Sequence, residues 1–340
     1  MKLLTRILLC VVMLSIVKIS YSQDHQYSQF FNAPTYLNPA LNGQFEGKMR
    51  MSLTYRNQYT SVPGSLTYMS AGVDFNVPRF GGGYGFLVTR SSEGVAYLNK
   101  TNLAGMYSYS IGNQDYVLSF GLQAGFTNRS VNTSKLVFGD QIDPSTGIIP
   151  GQPTSADPFP YNNKFYFDSG IGINLVVGDF MIGAAGQHLN RPNESFTGTP
   201  VKLDIRATGH LSYRLDLNRD DNLEDWEKSY IIPSVVFYKQ AQSYQYNVGM
   251  QYKRKSINAG LWYRGDGGGR NAIVISLIFD LFVNRDAGDK LRLGISHDVP
   301  ASRLNYGGSS GTTEGSVVYE TPGSEDGNKF YGARRCYDFY

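Results

Sequence analysis

The sequence predicts an all-β protein: a transmembrane antiparallel β-barrel of about 14 strands with a plug-like N-terminal segment. Three observations predict this fold: an export signal at the start, side chains that alternate between apolar and polar from Lys48 almost to the C-terminus, and turn signals that divide this alternation into short stretches. Successive side chains of a strand point to opposite faces, so each stretch presents one face to lipid and the other to a polar lumen.

The first 22 residues have the composition of a removable signal peptide. Lys2 and Arg6 form a basic start, residues 7–17 are an apolar core, and Ser20-Tyr21-Ser22 ends the segment with a small-x-small pattern. We expect cleavage before Gln23. A lipoprotein signal fits less well, because Cys10 lies inside the apolar core and is preceded by a leucine instead of a small residue.

The mature chain is formally neutral and has one cysteine. Cleavage removes three of the 31 basic residues, which leaves 28 against 28 acidic ones, so charge gives no reason to expect nucleic acid as a partner. A lone Cys336 excludes an intrachain disulfide. The longest apolar run, Ala272–Val283, is interrupted by Ser276 and Asp280 and is shorter than the ~18 residues of a spanning helix. Tyrosine (25) and glycine (38) are abundant, as the membrane interface and tight turns require.

Four regions follow in order: a signal peptide at 1–22, an N-terminal segment at 23–47, a barrel at 48–321 and a tail at 322–340. The N-terminal segment lacks the strand alternation and contains two prolines, so we expect a plug or a periplasmic segment. The predicted strands are Lys48–Tyr59, Leu66–Val77, a third ending near Arg90, Leu98–Ile111, Tyr116–Thr127, Phe165–Val177, Phe180–His188, and residues 203–215, 230–240, 243–253, 256–264, 271–283, 290–299 and 313–321.

A soluble β-sandwich is the alternative fold, since its turns have similar spacing. Two features favour the barrel. Charged residues such as Arg50, Asp74, Asp168 and Arg206 lie in mid-strand on a consistently polar face, and the opposite faces are more uniformly apolar than a solvated sheet tolerates. Long connections also alternate with short ones, as extracellular loops alternate with periplasmic turns in outer-membrane barrels.

Several sequence blocks resemble one family. Gln26–Pro34 and Leu37–Gly43 resemble the opening of the PorP/SprF family of Bacteroidota outer-membrane proteins, and the resemblance covers essentially the whole mature chain. Tyr55–Tyr59 with Val62–Gly64 is similar to the family's next block, with tyrosine where tryptophan is common. Further blocks are similar to later parts of the family, although the last lacks its usual proline: Leu261–Arg264, Ser296–Asp298, Tyr319–Glu320 and Arg335–Tyr340.

This resemblance implies a non-enzymatic barrel in the outer membrane of a Gram-negative, Bacteroidota-like bacterium. It implies a role in type IX secretion and gliding motility, in which the barrel supports secretion or the surface anchoring of a secreted protein such as an adhesin. The implied partners are type IX secretion components, a large secreted adhesin, or both, together with outer-membrane lipid.

The N-terminal segment has two open interpretations: a plug that fills the barrel mouth, or a docking surface for a partner. Asn38-Pro39-Ala40 favours extended geometry before the proline, and Asn42-Gly43 favours a tight turn. Both patterns suit a structural role. The candidate residues for either role are Tyr27, Phe30, Phe31, Asn32, Pro34, Leu37, Asn38, Pro39, Asn42 and Gly43.

No catalytic constellation is apparent, and we expect no enzyme and no bound cofactor. The four histidines are dispersed, and an outer-membrane lipid enzyme would need a nucleophile constellation that the sequence lacks. Ser296-His297-Asp298 spells a triad, but neighbours in a strand point to opposite faces and cannot form one relay. Residues 81–85 are glycine-rich without the helix that would hold a phosphate, so we predict a turn entering a strand.

One acidic connection resembles a calcium-binding loop. Alternating oxygen ligands closed by a glutamate suit a flexible calcium shell, but Asp221 stands where an EF-hand requires glycine. The alternative is a solvated connection, periplasmic by strand count. The candidate ligands are Asp216, Asn218, Asp220, Asn222, Glu224 and Glu227.

Two further features bear on function. The connection 134–164 is long and rich in proline, glycine and aspartate, so it is either an extracellular lid, a disordered loop or a contact surface for a secreted partner. Charged residues on the inner face would either line a passive channel for small polar solutes or pair and seal it, and single-channel conductance would separate the two. These residues are Arg50, Arg56, Asp74, Asp168, Asp204 and Arg206.

Overall fold

The computed structural model describes residues 24–62, 64, 66–77, 79, 81–156, 159–218, 228–284, 289–301, 306–322 and 336–339. The predicted signal peptide lies outside these residues. Fourteen long strands form the barrel: β1 (Met49–Gln58), β2 (Leu66–Val77), β3 (Gly82–Glu93), β4 (Leu98–Gly112), β5 (Tyr116–Ser130), β6 (Asn163–Val177), β7 (Phe180–Gln187), β8 (Arg206–Tyr213), β9 (Ser229–Gln240), β10 (Ser243–Arg254), β11 (Ile257–Gly265), β12 (Ala272–Asn284), β13 (Asp289–Pro300) and β14 (Thr312–Glu320).

The sheet is antiparallel throughout and closes on itself. Each strand pairs with the next, and β1 pairs with β14 over nearly its whole length, from Arg50 opposite Glu320 to Gln58 opposite Thr312. A closed sheet has no free edge, so its backbone groups are satisfied without water. The predicted fold class, a transmembrane antiparallel barrel with 14 strands, is confirmed, and the strands begin and end within three residues of their predicted positions.

The two faces of each strand follow the predicted alternation. In β1, Arg50 and Thr54 are buried towards the lumen, whereas Met51 and Leu53 are exposed on the outer surface. Leucine and isoleucine side chains on the outer surface of the other strands are equally exposed and would meet lipid. Among the described residues, no helix has the length and apolar content needed to cross a membrane.

The inner face is not consistently polar, which corrects the prediction. Inward-facing Ile232 and Val236 of β9 and Val274 and Ile278 of β12 are fully buried in one apolar cluster. The same cluster contains residues from outside the strands: Phe30, Phe31, Leu37 and Leu41 of the N-terminal segment, and Cys336 and Phe339 of the tail. Apolar side chains are stable in this lumen because other apolar side chains fill it in place of water.

The remaining elements are short. The N-terminal segment contains a 3-10 turn at Phe30–Asn32, the helix α1 at Pro34–Leu37 and a second 3-10 turn at Pro39–Leu41. The others are α2 (Tyr306–Ser309), 3-10 turns at Thr133–Lys135, Gly139–Gln141 and Cys336–Phe339, a small hairpin of Ile142–Asp143 with Gly147–Ile148, and the two-residue strand Leu215–Asp216 beside β9.

The two ends of the barrel differ in their connections. One end, here called the outer end, carries the connections 131–162 and 188–205; the opposite, inner end carries the start of β1, the end of β14 and tight turns such as Gly178–Asp179. By the rule that outer-membrane barrels have long extracellular loops and short periplasmic turns, the outer end faces the exterior. The prediction that Asp204 is an inward-facing residue of the strand 203–215 is wrong, because β8 begins only at Arg206. Asp204 pairs instead with half-exposed Arg191 in the connection 188–205.

Candidate functional site

The N-terminal segment runs through the barrel from the outer end to the inner end. At the outer end the Asp24 carboxylate accepts a hydrogen bond from Lys100 at 2.7 Å, and at the inner end Nε2 of the Gln44 side chain donates to Ser110 Oγ at 2.7 Å. Every residue from Gln26 to Phe45 is buried. The segment therefore occupies the lumen along its length and sets the geometry of the candidate site.

Asn38 fastens the middle of the segment to the barrel wall. Its Oδ1 accepts a hydrogen bond from the Ala40 amide at 2.9 Å, which caps the turn that Pro39 begins. Its Nδ2 donates to the backbone carbonyls of Ile173 in β6 and Ala184 in β7, at 3.0 and 3.3 Å. One amide side chain thus both shapes the segment and bonds it to two strands that lie far away in sequence.

Glycines on the inner face make room for the segment. A Cβ atom at Gly172 would collide with Asn38 Oδ1, one at Gly121 would collide with the Ala40 amide, and one at Gly294 would collide with the side chain of Gln29. Where the segment turns, Gly43 adopts a φ of +67° and approaches the backbone of Gly83. Of these glycines, Gly121, Gly172 and Gly294 were not predicted as site residues. The sequence feature that could have identified them is a glycine at an inward-facing position of a predicted strand.

A charged cluster surrounds Ser28 near the outer third of the lumen. Arg56 and Arg264 donate to Ser28 Oγ at 2.6 and 2.7 Å, and Ser28 Oγ donates to Asp298 at 2.6 Å. Glu314 accepts the backbone amides of Ser28 and Gln29 at 2.8 and 2.7 Å. Strand alternation predicts that such residues face inwards, but only barrel closure brings β1, β11, β13 and β14 around one serine.

A second ion pair holds the inner end of the segment. Arg50 Nη2 lies 2.7 Å from Asp74 Oδ2 and also donates to the Leu41 carbonyl at 3.2 Å. The same carboxylate accepts the amide of Gly43 at 2.7 Å, and the guanidinium lies 4.7 Å from the centre of the Phe45 ring. Both charged groups are almost fully buried. Each of them also forms a hydrogen bond with the backbone of the segment, which helps to compensate for their removal from water.

Ionic contacts fix the outer end. His188 lies between Asp24 and Asp168, with Nε2 2.7 Å from Asp24 and Nδ1 2.8 Å from Asp168. Burial alone would raise the pKa of Asp24, but Lys100 and His188 beside it hold that pKa well below its usual range. Burial alone would lower the pKa of His188, but the two carboxylates raise it above its ordinary value.

The ten residues predicted as plug or partner-binding residues all lie in the lumen. Tyr27, Phe30, Phe31, Asn32, Pro34, Leu37, Asn38, Pro39, Asn42 and Gly43 are buried. None of them is on a surface that a partner reaches in this structure. Whether their role is to plug the lumen or to bind a partner stays a prediction.

The calcium ligands are only partly described. Asp216 Oδ1 accepts the amide of Asn218 at 2.8 Å, a local turn contact, while Asp220, Asn222, Glu224 and Glu227 lie outside the described residues. Within the part of the chain that the structure describes, no group of three or more His, Cys, Asp or Glu residues is arranged to hold a metal ion. Calcium binding stays a prediction.

The residues 296–298 do not form a relay. Ser296 and Asp298 are buried towards the lumen, whereas His297 hydrogen-bonds to Thr313 at 3.0 Å on the opposite face. Gly81 has a φ of +73° and β3 begins at Gly82, so the glycine-rich stretch is a turn that enters a strand, as predicted.

The long outer connection has internal order in its described residues. Asp143 Oδ1 accepts the amides of Ser145 and Thr146 at 2.8 and 2.9 Å, and hydrogen bonds from Ser145 lower the pKa of Asp143 to about 2. The hairpin around this turn leaves Ile142 and Ile148 exposed, at 47% and 62%. These apolar side chains lie on a connection, away from the lipid-facing strands.

Several solved structures resemble this chain in shape. A FadL homologue of Pseudomonas aeruginosa matches with a TM-score of 0.42 and 11% identity, over 85% of this chain and 92% of that chain. A mutant of the monoaromatic hydrocarbon channel TodX matches with a TM-score of 0.41 and 10% identity over the same shares. CdiB from Acinetobacter baumannii matches with a TM-score of 0.37 and 8% identity, over 80% of this chain and 60% of that chain.

No protein of curated function matches the chain. One family model, described as type IX secretion system membrane protein PorP/SprF, matches residues 19–319. This match includes the N-terminal segment and all the barrel strands but the last residue of β14, and it confirms the outer membrane as the location. The chain therefore belongs to the PorP/SprF family of type IX secretion system membrane proteins.

Proposed function

We propose that this barrel is a non-enzymatic component of the type IX secretion and gliding system. It supports the secretion or surface anchoring of a secreted protein, such as an adhesin, by binding that protein or the secretion machinery. The observation that carries this proposal is the occupied lumen. A barrel whose interior is filled by its own chain is suited to binding at its ends and poorly suited to passive transport.

The fit between segment and wall supports a constitutive plug. Wall glycines accommodate Asn38, Ala40 and Gln29, and buried ion pairs accept the backbone amides of Ser28 and Gly43. Such complementarity would be lost if the segment left the barrel to dock elsewhere, and the buried charges would then lose hydrogen bonds. We therefore assign the segment to the plug and the partner contact to the outer end.

The outer connection 131–162 is the proposed contact surface. Its described residues include four exposed apolar side chains, which lie outside the lipid-facing strands: Val137, Ile142, Ile148 and Tyr161. Apolar side chains exposed to water in a group favour contact with another protein. Residues 157 and 158 of this connection lie outside the described residues.

The experiment is a pull-down of the tagged protein from native outer membranes in mild detergent, read by mass spectrometry. Recovery of a large secreted protein or of secretion components supports the proposal and identifies the partner. Recovery of the barrel alone at good yield contradicts it and favours the alternative, a passive channel for small polar solutes. Single-channel conductance then decides between a filled and an open lumen.

A matched pair of variants locates the contact. The double substitution Ile142→Ser with Ile148→Ser removes apolar surface at the outer end and should reduce partner recovery. Leu217→Ser is the control, because Leu217 has a similar exposure of 47% but lies in the connection between β8 and β9 at the inner end. Equal recovery with both variants would exclude the hairpin as the contact.

A further inference from the structure

The first residues of the N-terminal segment are held by a compact set of polar contacts. The Asp24 carboxylate accepts hydrogen bonds from Lys100 at 2.7 Å and from Gln240 Nε2 at 2.9 Å, and the Asp24 amide donates to Gln240 Oε1 at 2.8 Å. His188 supplies a further contact at 2.7 Å. These groups come from the ends of β4 and β9 and from the residue after β7, so Asp24 ties three parts of the outer rim together.

His188 has an unusual backbone conformation. Its φ is +59°, in the left-handed region that costs energy for a residue with a side chain. This conformation places the ring between the two carboxylates, since Nε2 faces Asp24 and Nδ1 lies within 2.9 Å of both oxygens of Asp168. Only the imidazolium can donate to both carboxylates, because a neutral imidazole has one N–H.

Two cavities lie side by side at the outer end. One cavity measures about 70 Å³ and the other about 290 Å³, and both are lined by Asp24, His25 and Glu93. The His25 ring stacks on Tyr68, which lines the larger cavity, with 4.3 Å between the ring centres. Movement of these first two residues would therefore join the two cavities into one vestibule that opens to the outside.

We propose that Asp24, His188 and Asp168 form a proton-controlled latch on the outer end of the plug. With His188 protonated the latch is closed and the cavities are separate. With His188 neutral, one carboxylate loses its donor, the first residues of the segment move, and the vestibule forms. This device goes beyond the proposed function, because it acts on the plug whichever partner binds outside.

The surrounding charges support this behaviour. When His188 is protonated, the groups facing the smaller cavity include four cations and four anions: Lys100 of β4, Arg129 of β5, His188 and Arg206 of β8, against Asp24, Glu93 of β3, Asp168 of β6 and Glu194 of the connection 188–205. Tyr36 and His25 of the segment and Tyr166 of β6 also interact with this cluster. Loss of the His188 proton leaves one excess negative charge in a buried site.

The direction of the pH dependence follows from the raised pKa of His188. The stabilisation that the latch contacts provide is fully present below about pH 6.5, the ordinary pKa of histidine. It is lost as the pH rises through the higher pKa that His188 has in the folded protein. Asp24 keeps its charge throughout this range because its pKa is lowered. The contacts of Asn38 and of the Asp74 carboxylate continue to hold the inner part of the segment, so the change is confined to its outer end.

The test is hydrogen–deuterium exchange of the full-length protein in detergent at about pH 6 and about pH 9, corrected for intrinsic exchange. Between these two values, exchange of residues 24–31 should rise about tenfold, the equivalent of one charge-assisted hydrogen bond, while residues 38–45 should not change. His188→Gln should exchange rapidly at both values, and His188→Arg should be protected at both. His297→Gln, on the outer face of β13, is the matched control and should behave as the wild type.

Exchange in the strands shows whether each variant is folded, so the result does not depend on a variant that fails to fold. The latch is wrong if corrected exchange of residues 24–31 in the wild type is independent of pH. It is also wrong if His188→Gln retains the pH dependence of the wild type, since another group would then be titrating. The pull-down is unaffected by either result.

Discussion

The outer and inner parts of the N-terminal segment differ in how closely they are packed against the barrel wall. The outer half, from Asp24 to Gln29, is held by charged and polar side chains of the wall, such as Lys100, His188 and Glu314. The inner half, from Asn38 to Phe45, is also hydrogen-bonded to the wall, through Asn38 and the Arg50–Asp74 pair, but in addition it is closely packed, with backbone set against wall glycines and Leu41 within the apolar cluster.

This difference indicates which half is able to respond to conditions. Charge contacts depend on protonation and ionic strength, so the outer half can loosen without unfolding the barrel. Close packing does not depend on protonation or ionic strength in this way, and a small displacement loses van der Waals contacts on every side. The inner half therefore anchors the plug, and the outer half is where regulation is expected.

Removing the whole segment should have the largest effect. Deletion of residues 24–45 removes the segment that runs through the lumen, so steady conductance should replace a silent wild-type barrel in planar bilayers. Buried charges such as Arg50 and Arg56 would then be hydrated and line the pore. Equal conductance of the deletion variant and the wild type would show that the segment does not close the channel.

Breaking the ionic contacts of the outer half should have the next largest effect. Asp298→Asn leaves Arg56 and Arg264 with too little negative charge in a buried site, which should lower the free energy of unfolding by about 3 kcal/mol. Urea denaturation in detergent, followed by tryptophan fluorescence, measures this loss. A loss below about 1 kcal/mol would mean that the cluster is solvated as an exposed pair is.

A single methyl group added to the wall beside the inner half should lower the free energy of unfolding by less, and its effect should be more local. Gly172→Ala forces a Cβ atom against Asn38 and should cost about 2 kcal/mol while raising hydrogen exchange at residues 38–41. The control is Gly209→Ala in β8, where a Cβ atom would meet no other atom within 4 Å. Equal stability of the two variants would contradict the close fit.

The smallest effect is expected at an exposed ion pair. Arg191 and Asp204 lie 2.6 Å apart in the connection 188–205, with side chains that are 51% and 34% exposed. Asp204→Asn should change the free energy of unfolding by no more than about 0.5 kcal/mol, because water and salt screen such a pair. A loss as large as that of Asp298→Asn would mean that this exposed ion pair contributes as much to stability as the buried cluster in the lumen.

Much of the barrel is predictable because strand signals are local. Alternation over residues 66–77 gives β2 with its observed ends, and Gly178-Asp179 marks the turn between β6 and β7. The alternation along each strand is enough to predict that Arg50 and Asp74 face inwards. Their pairing follows because β1 and β2 are neighbours in the sheet.

The contents of the lumen were decided by the tertiary structure. Ile232 and Val274 are apolar residues at inward-facing positions where the alternation predicts polar ones. Only their burial in one cluster with Phe30 and Phe339 explains why. Likewise, Gly172 is one glycine among many until Asn38 is placed against it. The physical reason is sequence distance: alternation and turns are read within a dozen residues, whereas the plug contacts join residues that are brought together only when the barrel closes.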